Sequence, residues 1–401
     1  MALLASCNSE NNKPEDSGDA AAKFMNGRFG HDLSLLKKHH KDIIVLSNGA
    51  GAEVIIAPAY QGRVMTSTAE GDIGSSFGWI NHELIASGKK TEHMSAFGGE
   101  ERFWLGPEGG QFSIYFKKGE EFKFENWFVP REIDTEAFEL VSSTKTEASF
   151  QKDMHLENYS GTKFDLTVNR TIRLLDNASI NSALGIAVPE NVKAVAFESD
   201  NRITNKGTNS WDKKTGALSI WILSMLNASN QTTVVVPYKQ GDQAQLGRIV
   251  TDDYFGKVPA DRLKVDRGLI LFKADANLRS KIGVSSKRAL PFVASYDAVN
   301  NALTIAQFTL PAGVTDYVNS LWKMQDDPFA GDAVNAYNDG PIKGEQMGKF
   351  YEIESSSPAA MLAPGASMQH MHRTIHLKGN KDELNKIAMK VLGINVDAIK
   401  L

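Results

Sequence analysis

The sequence predicts a mainly β protein, a large sandwich of antiparallel sheets with a short C-terminal helix. Three observations lead there. In the segment 164–174, Phe164, Leu166, Val168, Ile172 and Leu174 fall on one side, and Asp165, Thr167, Asn169, Thr171 and Arg173 on the other. A period of two marks a strand with one wet face, and only Arg170 breaks its apolar side. Shorter β-rich runs recur between turn signals such as Lys118-Gly119, Asn205-Lys206-Gly207, Pro311-Ala312-Gly313 and Asn338-Asp339-Gly340. Strands do not alternate with helices as a parallel sheet requires, and no repeat of short period is visible.

The elements follow in chain order. A short helix is expected over 32–40, capped by Asp32 and ending in Lys37, Lys38, His39 and His40, cations suited to a helix C-terminus. Strands are expected at 43–46, 53–57 (ending at Pro58), 112–116, 164–174, 217–223, 232–236, 269–272, 303–309 and 350–354. The stretch from Phe350 to His376 reads as two antiparallel strands joined through Pro364-Gly365. A final amphipathic helix follows, with Asn380 as cap, Glu383 completing a capping box, and Leu384, Ile387, Ala388, Val391 and Leu392 at helical spacing before Gly393.

The chain has 401 residues, 42% hydrophobic and 23% charged, enough to bury a sizeable core. Its 44 basic and 48 acidic residues leave a net charge of −4. No basic excess points to nucleic acid, and none is expected as a partner. Cys7 is the single cysteine, which excludes an intrachain disulfide framework. Leu4-Ala5-Ser6-Cys7 resembles a bacterial lipobox, although only six residues precede the cysteine, so the start is either truncated or the match accidental. Residues 8–22 are polar and acidic with little to bury. The expected organisation is a residual lipoprotein signal at 1–7, a disordered tether at 8–29 and one β domain at 30–401. Cys7 is the lipidation candidate, and the expected location is extracytoplasmic, anchored by lipid in the bacterial periplasm or outer membrane.

Several stretches carry chemistry-bearing residues. Residues 97–116 set Glu100, Glu101, Arg102, Trp104 and Glu108 between glycine pairs. Pyranose faces stack on Trp while hydroxyls bond Arg and Glu, so this pattern suits a sugar; a tight loop with an Arg–Glu pair over a core Trp describes it as well. Residues 322–340, with Trp322, Asn338 and Asp339, have the polar and aromatic make-up of carbohydrate clefts and also of calcium loops, but lack the EF-hand pattern. Asp252-Asp253-Tyr254-Phe255-Gly256 reads as a capped turn. Gly74-Ser75-Ser76-Phe77-Gly78 matches a nucleophile elbow without the strand and helix that such an elbow needs. No P-loop or dinucleotide fingerprint is present, and no cofactor is expected.

The stretch Gly98-Gly99-Glu100-Glu101-Arg102-Phe103-Trp104-Leu105-Gly106-Pro107-Glu108 resembles the G-G-x-R-x-W-x-x-P-E loop of galactose-mutarotase-like proteins, with one extra residue before the arginine. Glu354, Pro358 and Leu362-Ala363-Pro364-Gly365 resemble the end of the same fold in aldose 1-epimerases. From about residue 30 to 379 the chain also resembles an uncharacterised family of bacterial lipoproteins close to that fold. The resemblance implies a galactose mutarotase-like β-supersandwich whose sheet binds a sugar. By motif, Glu354 matches the epimerases' general base, which takes a proton from the anomeric hydroxyl while a histidine protonates the ring oxygen.

This chain departs from that pattern in one respect. No Asn-His motif occurs between residues 140 and 240, where His155 is the sole histidine. His82 and His93 are the alternatives as acid. The catalytic candidates are therefore Glu354, Glu101 and His93, with Arg102, Trp104, Glu108, Trp322, Asn338, Asp339 and Glu352 as sugar-binding candidates. Two further readings stand beside this one. One is sugar binding without catalysis. The other is a divalent-metal protein in which His370, His372 and His376, alternating on one strand face, join Glu352 or Glu354.

Overall fold

The computed structural model describes Lys23 and residues 25–401. Cys7 and the segment 8–22 lie outside the described residues. The period-two segments become strands of three antiparallel sheets. The smallest holds β1 (Ile44–Ser47), β2 (Glu53–Ala57) and β3 (Arg63–Thr68). A six-stranded sheet runs in the order β14 (Ser280–Ser285), β17 (Asp332–Asn338), β18 (Phe350–Ser356), β9 (Ser219–Leu223) and β4 (Arg102–Gly106), with β10 (Leu226–Asn227) beside β18. A ten-stranded sheet runs β12 (Leu263–Asp266), β13 (Leu269–Lys273), β11 (Thr232–Pro237), β15 (Phe292–Asp297), β16 (Ala302–Phe308), β19 (Ser367–Lys378), β8 (Lys193–Asn205), β7 (Lys163–Leu174), β6 (Glu147–Glu157) and β5 (Glu139–Ser143).

The long alternating segment is β7, with its apolar side buried and its polar side lying between half-buried and exposed. Arg170 remains on the buried side because three partners satisfy it. Its guanidinium donates to Gly62 O at 3.1 Å, Asn201 Oδ1 at 2.5 Å and Glu101 Oε1 at 2.8 Å. A buried charge needs such pairing to be tolerated.

The C-terminal helix, Lys381–Leu392, forms as its pattern requires. Asn380 Oδ1 accepts the Glu383 amide at 3.0 Å, and Gly393 adopts a left-handed conformation at its end. Leu384, Ile387, Ala388 and Leu392 pack beneath the ten-stranded sheet with Ile375 and Leu377.

Three expectations change. The first helix, α1, spans Phe29–His39, so it starts three residues earlier than expected, and Phe29 is fully buried. The fold thus reaches into the segment read as a tether: Phe29 packs with Ile55, Met65 and Phe97, Arg28 bridges Ser75, and Lys23 pairs with Asp72. Residues 112–116 are not a strand but a succession of turns. Their aromatic and aliphatic side chains are buried by packing rather than by sheet pairing. Finally, β18 and β19 are not one hairpin. Both edges of β18 are occupied, by β17 and β9, so β19 pairs instead with β16 and β8 in the other sheet.

Candidate functional site

Strand register decides which side chains meet. Across the six-stranded sheet, Arg102 is opposite Leu223, Leu223 opposite Glu354, Glu354 opposite Asn335, and Asn335 opposite Gly283. One step away, Trp104 is opposite Trp221, and Glu352 is opposite Tyr337, which is opposite Lys281. Because side chains alternate, all of these share one face. The intervening residues, such as Phe103, Ile222, Ile353, Val334 and Ile282, face the other way and are buried.

Arg102, Trp104, Trp221 and Glu352 of the shared face line a floor space of about 100 Å³, and Lys281 and Tyr337 also line the adjoining cleft of about 710 Å³. Its walls come from loops: Phe124, Tyr254, Phe255, Trp322 and the 340–347 loop. At the floor lie Arg102, Trp104, Trp127, Trp221, Lys281, Tyr337 and Glu352. Glu108, Arg279 and Lys281 line both levels. Aromatic rings alternate with charge throughout. Arg102 lies 4.9 Å from the Trp104 ring, Lys281 4.9 Å from Trp221, and Arg279 3.9 Å from Phe255. Such cation–π contacts hold cations without removing all of their donors.

Two ion pairs organise the floor. Arg102 Nη2 donates to Glu352 Oε1 at 2.5 Å, and Lys281 Nζ to Glu354 Oε2 at 2.9 Å. Trp221 Nε1 also donates to Glu354 Oε2, while Glu354 Oε1 has no partner. Glu108 is raised to about 7, because the cleft walls desolvate it; Lys281 counters that and Glu354 adds to it. Glu352 is also raised to about 7 by burial, with Arg102 opposing and Glu354 reinforcing. Burial opposes the charge on Lys281, but Glu354 and Glu108 beside it outweigh that and hold its pKa above the ordinary value. Two carboxyl groups that titrate near neutrality therefore share one cleft with a fixed ammonium.

Of the candidates from sequence, Arg102, Trp104, Glu108, Trp322, Asp339 and Glu352 come together in this cleft. Glu354 belongs to the same sheet face but is fully buried beneath Lys281 and Trp221 and is not among the lining residues. Glu101 is not brought there. It is one residue out of phase with Arg102, so it points into the sandwich and pairs with Arg170, both fully buried. Asn338 is likewise out of phase with Tyr337. It pins the neighbouring loop by accepting from the Ala276 amide and donating to Leu278 O. His93 packs against Phe124 and Phe128 and contacts Trp127 O at 2.7 Å, without lining the cleft. Among the described residues that line the cleft there is no histidine.

The histidine set of β19 is corrected by geometry. His370 Nε2 and His372 Nδ1 both meet Ser355 Oγ, at 2.8 and 2.9 Å, between the sheets. His376 Nε2 meets Glu100 Oε1 at 2.8 Å. Glu352 and Glu354 lie on the opposite face of β18 and cannot complete a ligand set with them. The glycine pairs of residues 97–116 serve close packing of the chain. A Cβ at Gly98 would stand 2.2 Å from Trp79 O and one at Gly109 2.4 Å from Leu321 O, so the glycines let backbone pack on backbone.

Sequence reasoning missed Lys281, Arg279, Tyr254, Phe255, Trp221 and Tyr337 as cleft residues. The available signal was the alternation of Arg279, just before β14, with Lys281 in it, and of Asn335 with Tyr337 in β17, but its meaning depends on register.

Residues 27–401 match the model of a family described as "Family of unknown function (DUF6786)". No curated protein matches the chain. Among solved structures, a candidate aldose 1-epimerase from Escherichia coli K12 aligns at a TM-score of 0.51 and 12% identity, covering 84% of this chain and 99% of that one. A galactose mutarotase-like protein from Lactobacillus casei ATCC 334 aligns at 0.47 and 10% identity, covering 84% and 99%. The fold is that of the galactose mutarotase-like sandwiches.

Proposed function

We propose that this chain, which belongs to the family of unknown function DUF6786, binds carbohydrate in the cleft over its six-stranded sheet and transfers protons at the sugar ring. The observation that carries this is the pair Glu108 and Glu352, both held near pH 7 in one aromatic-walled cleft. The mutarotase-like fold supports a carbohydrate-related role.

Anomer exchange needs a base at the anomeric hydroxyl and an acid at the ring oxygen. One carboxylate takes the hydroxyl proton, the C1–O5 bond opens, and the other carboxylic acid gives O5 its proton. Closure on the other face of C1 reverses both transfers. A group titrating near the working pH serves either direction. In this reading Glu108 and Glu352 do the work that a base and a histidine share elsewhere. Glu354 is a positioning residue, fixing Lys281 and the Trp221 ring. Trp104, Trp127, Trp221 and Trp322 supply platforms for pyranose faces.

NMR exchange spectroscopy of anomers across a panel of aldoses tests the reading. Acceleration by the wild type, lost in Glu108→Gln and Glu352→Gln, is the expected result. Binding seen by calorimetry with no acceleration would leave a non-catalytic sugar-binding protein. The second reading is favoured by the closed Arg102–Glu352 and Lys281–Glu354 pairs, which leave fewer free groups for chemistry. No binding of any sugar would overturn both. We place the protein outside the cytoplasm on a lipid anchor at Cys7, supported by Leu4-Ala5-Ser6-Cys7 and the polar residues after it. Mass spectrometry of the N-terminal peptide from a bacterial host would show the unmodified cysteine if this is wrong.

A further inference from the structure

A second constellation lies on α1 and α2 (His82–Ser87), and none of its members lines the cleft. His31 and Asp32 stand in the first turn of α1, and His82 is the first residue of α2. Asp32 Oδ1 is 2.7 Å from His82 Nε2 and 3.4 Å from His31 Nδ1. The three donor atoms all lie within 4.8 Å of one another. The imidazoles meet edge to face, their centroids 5.1 Å apart.

The surroundings are arranged unevenly. Asp32 is only 3% exposed, and its second oxygen, Oδ2, accepts from Ser76 Oγ at 2.5 Å. The backbone amide of Asp32 donates to Arg28 O. The carboxylate is thus held in place with Oδ1 presented outward. The side chains of His31 and His82 are 29% and 27% exposed, so the outer side of the group is open to solvent. Asp32 Oδ1 can accept from both imidazoles, and the same convergence lets one ion be ligated by all three groups.

The geometry points to a divalent metal site formed by His31 Nδ1, Asp32 Oδ1 and His82 Nε2, with a fourth position open to water. Bonds of 2.0–2.2 Å in a tetrahedron separate ligand atoms by about 3.3 Å. The His31–Asp32 edge already has that length, at 3.4 Å. The His82–Asp32 edge, 2.7 Å as a hydrogen bond, widens by about 0.6 Å when the shared proton leaves. Two imidazoles and one carboxylate select a borderline ion such as Zn²⁺, Co²⁺ or Ni²⁺ over Mg²⁺ or Ca²⁺. Ser76 is the outer partner that orients the carboxylate. This places a role on the Gly74–Gly78 stretch, whose serine aims at an aspartate rather than serving as a nucleophile. Bound metal ties α1 to α2.

Untagged full-length protein, stripped with chelator and dialysed, is titrated with Zn²⁺ by calorimetry and with Co²⁺ by visible absorption. One equivalent per chain is expected, with tetrahedral Co²⁺ bands. His31→Ala and His82→Ala each lower affinity by at least about 100-fold, and Ser76→Ala by about 10-fold. Exposed His39 lies on the same helix, and His39→Ala leaves binding unchanged. Zn²⁺ raises the Tm of the wild type and not of His31→Ala, a substitution at a half-exposed position that the fold tolerates. No stoichiometric binding, or full binding by the His31 and His82 variants, overturns the site.

Discussion

Glu354 and Ser355 are chain neighbours on β18 that face opposite sides of one sheet. Glu354 receives Lys281 and Trp221 on the cleft side, and Ser355 lies between His370 and His372 inside the sandwich. The sheet therefore separates two polar systems that the sequence runs together. On one side are charges lining the cleft or lying just beneath it. On the other are buried imidazoles and the Glu101–Arg170 pair, sealed by the ten-stranded sheet. A single residue of register decides which system a side chain joins.

The Lys281–Glu354 pair is nearly closed to solvent, with side chains 11% and 1% exposed. Removing one partner strands the other charge in a poorly hydrated place. Glu354→Ala is expected to cost about 3–5 kcal/mol of stability in urea unfolding. Lys281→Met costs less when combined with Glu354→Gln than the two single changes sum to, because neither charge is then left alone. Trp221 loses its indole acceptor in Glu354→Ala, so intrinsic fluorescence changes in the folded state as well.

Glu101 gives a contrasting expectation. Its carboxylate meets Arg170 where both side chains are fully buried, on the side of the sheet away from the cleft. Glu101→Gln should lower stability by about 3–5 kcal/mol while leaving sugar affinity unchanged at temperatures where the protein remains folded. Calorimetric binding beside thermal unfolding separates the two roles. A loss of affinity at full folding would return Glu101 to the cleft.

Much of the fold was legible where a residue's immediate neighbours decide its state. β7 could be read from alternation, the last helix from Asn380, Glu383 and Gly393, and β2 from its β-branched run before Pro58. What failed needed knowledge of distant partners. Residues 112–116 alternate like a strand, but their backbone is held in local turns, with Ser113 N donating to Gly110 O and Tyr115 N to Ser113 Oγ. The hairpin expected between residues 350 and 376 fails because β17 and β9, far away in sequence, already hold both edges of β18. In the site, Arg102, Trp104, Glu108 and Glu352 were accessible through local composition. Lys281 and Tyr337 were not, since their face is fixed only by pairing Lys281 with Tyr337 and Tyr337 with Glu352. Glu101 and Asn338 show the same limit in reverse: each is adjacent to a cleft residue and points away from it.

His370 and His372 make stability depend on acid. Burial pushes both imidazoles down to about 3, and for His372 the neighbouring His370 and Arg170 add to the effect. The unfolded chain binds protons near pH 6.5, and the native state does not until about pH 3. Stability contributed by the neutral rings is complete above pH 6.5 and falls as pH drops through that window, by up to about 1.4 kcal/mol per pH unit for each ring. Urea midpoints measured from pH 7 to 4 should decline, and His372→Gln should flatten the decline. An unchanged slope in that variant would mean that the ring takes up its proton in the native state as readily as in the unfolded chain.

Glu108 acts with the opposite sign. Its carboxyl is raised from 4.5 to about 7 by burial, so the native state holds a proton that the unfolded chain has released between those values. Stability attributable to this group is therefore greatest below pH 4.5 and lost as pH rises towards 7. Glu108→Gln keeps the shape and removes the ionisation. The variant should match the wild type near pH 4 and exceed its stability at pH 8 by about 1–3 kcal/mol. Comparing the two chains at each pH cancels the histidine contribution, which both share. The same substitution should abolish anomer exchange, because the group that strains the fold at neutral pH is the one proposed to carry the proton. If Glu108→Gln gains no stability at pH 8, the cleft does not desolvate this carboxylate, and its assignment as a proton carrier near neutrality falls with it.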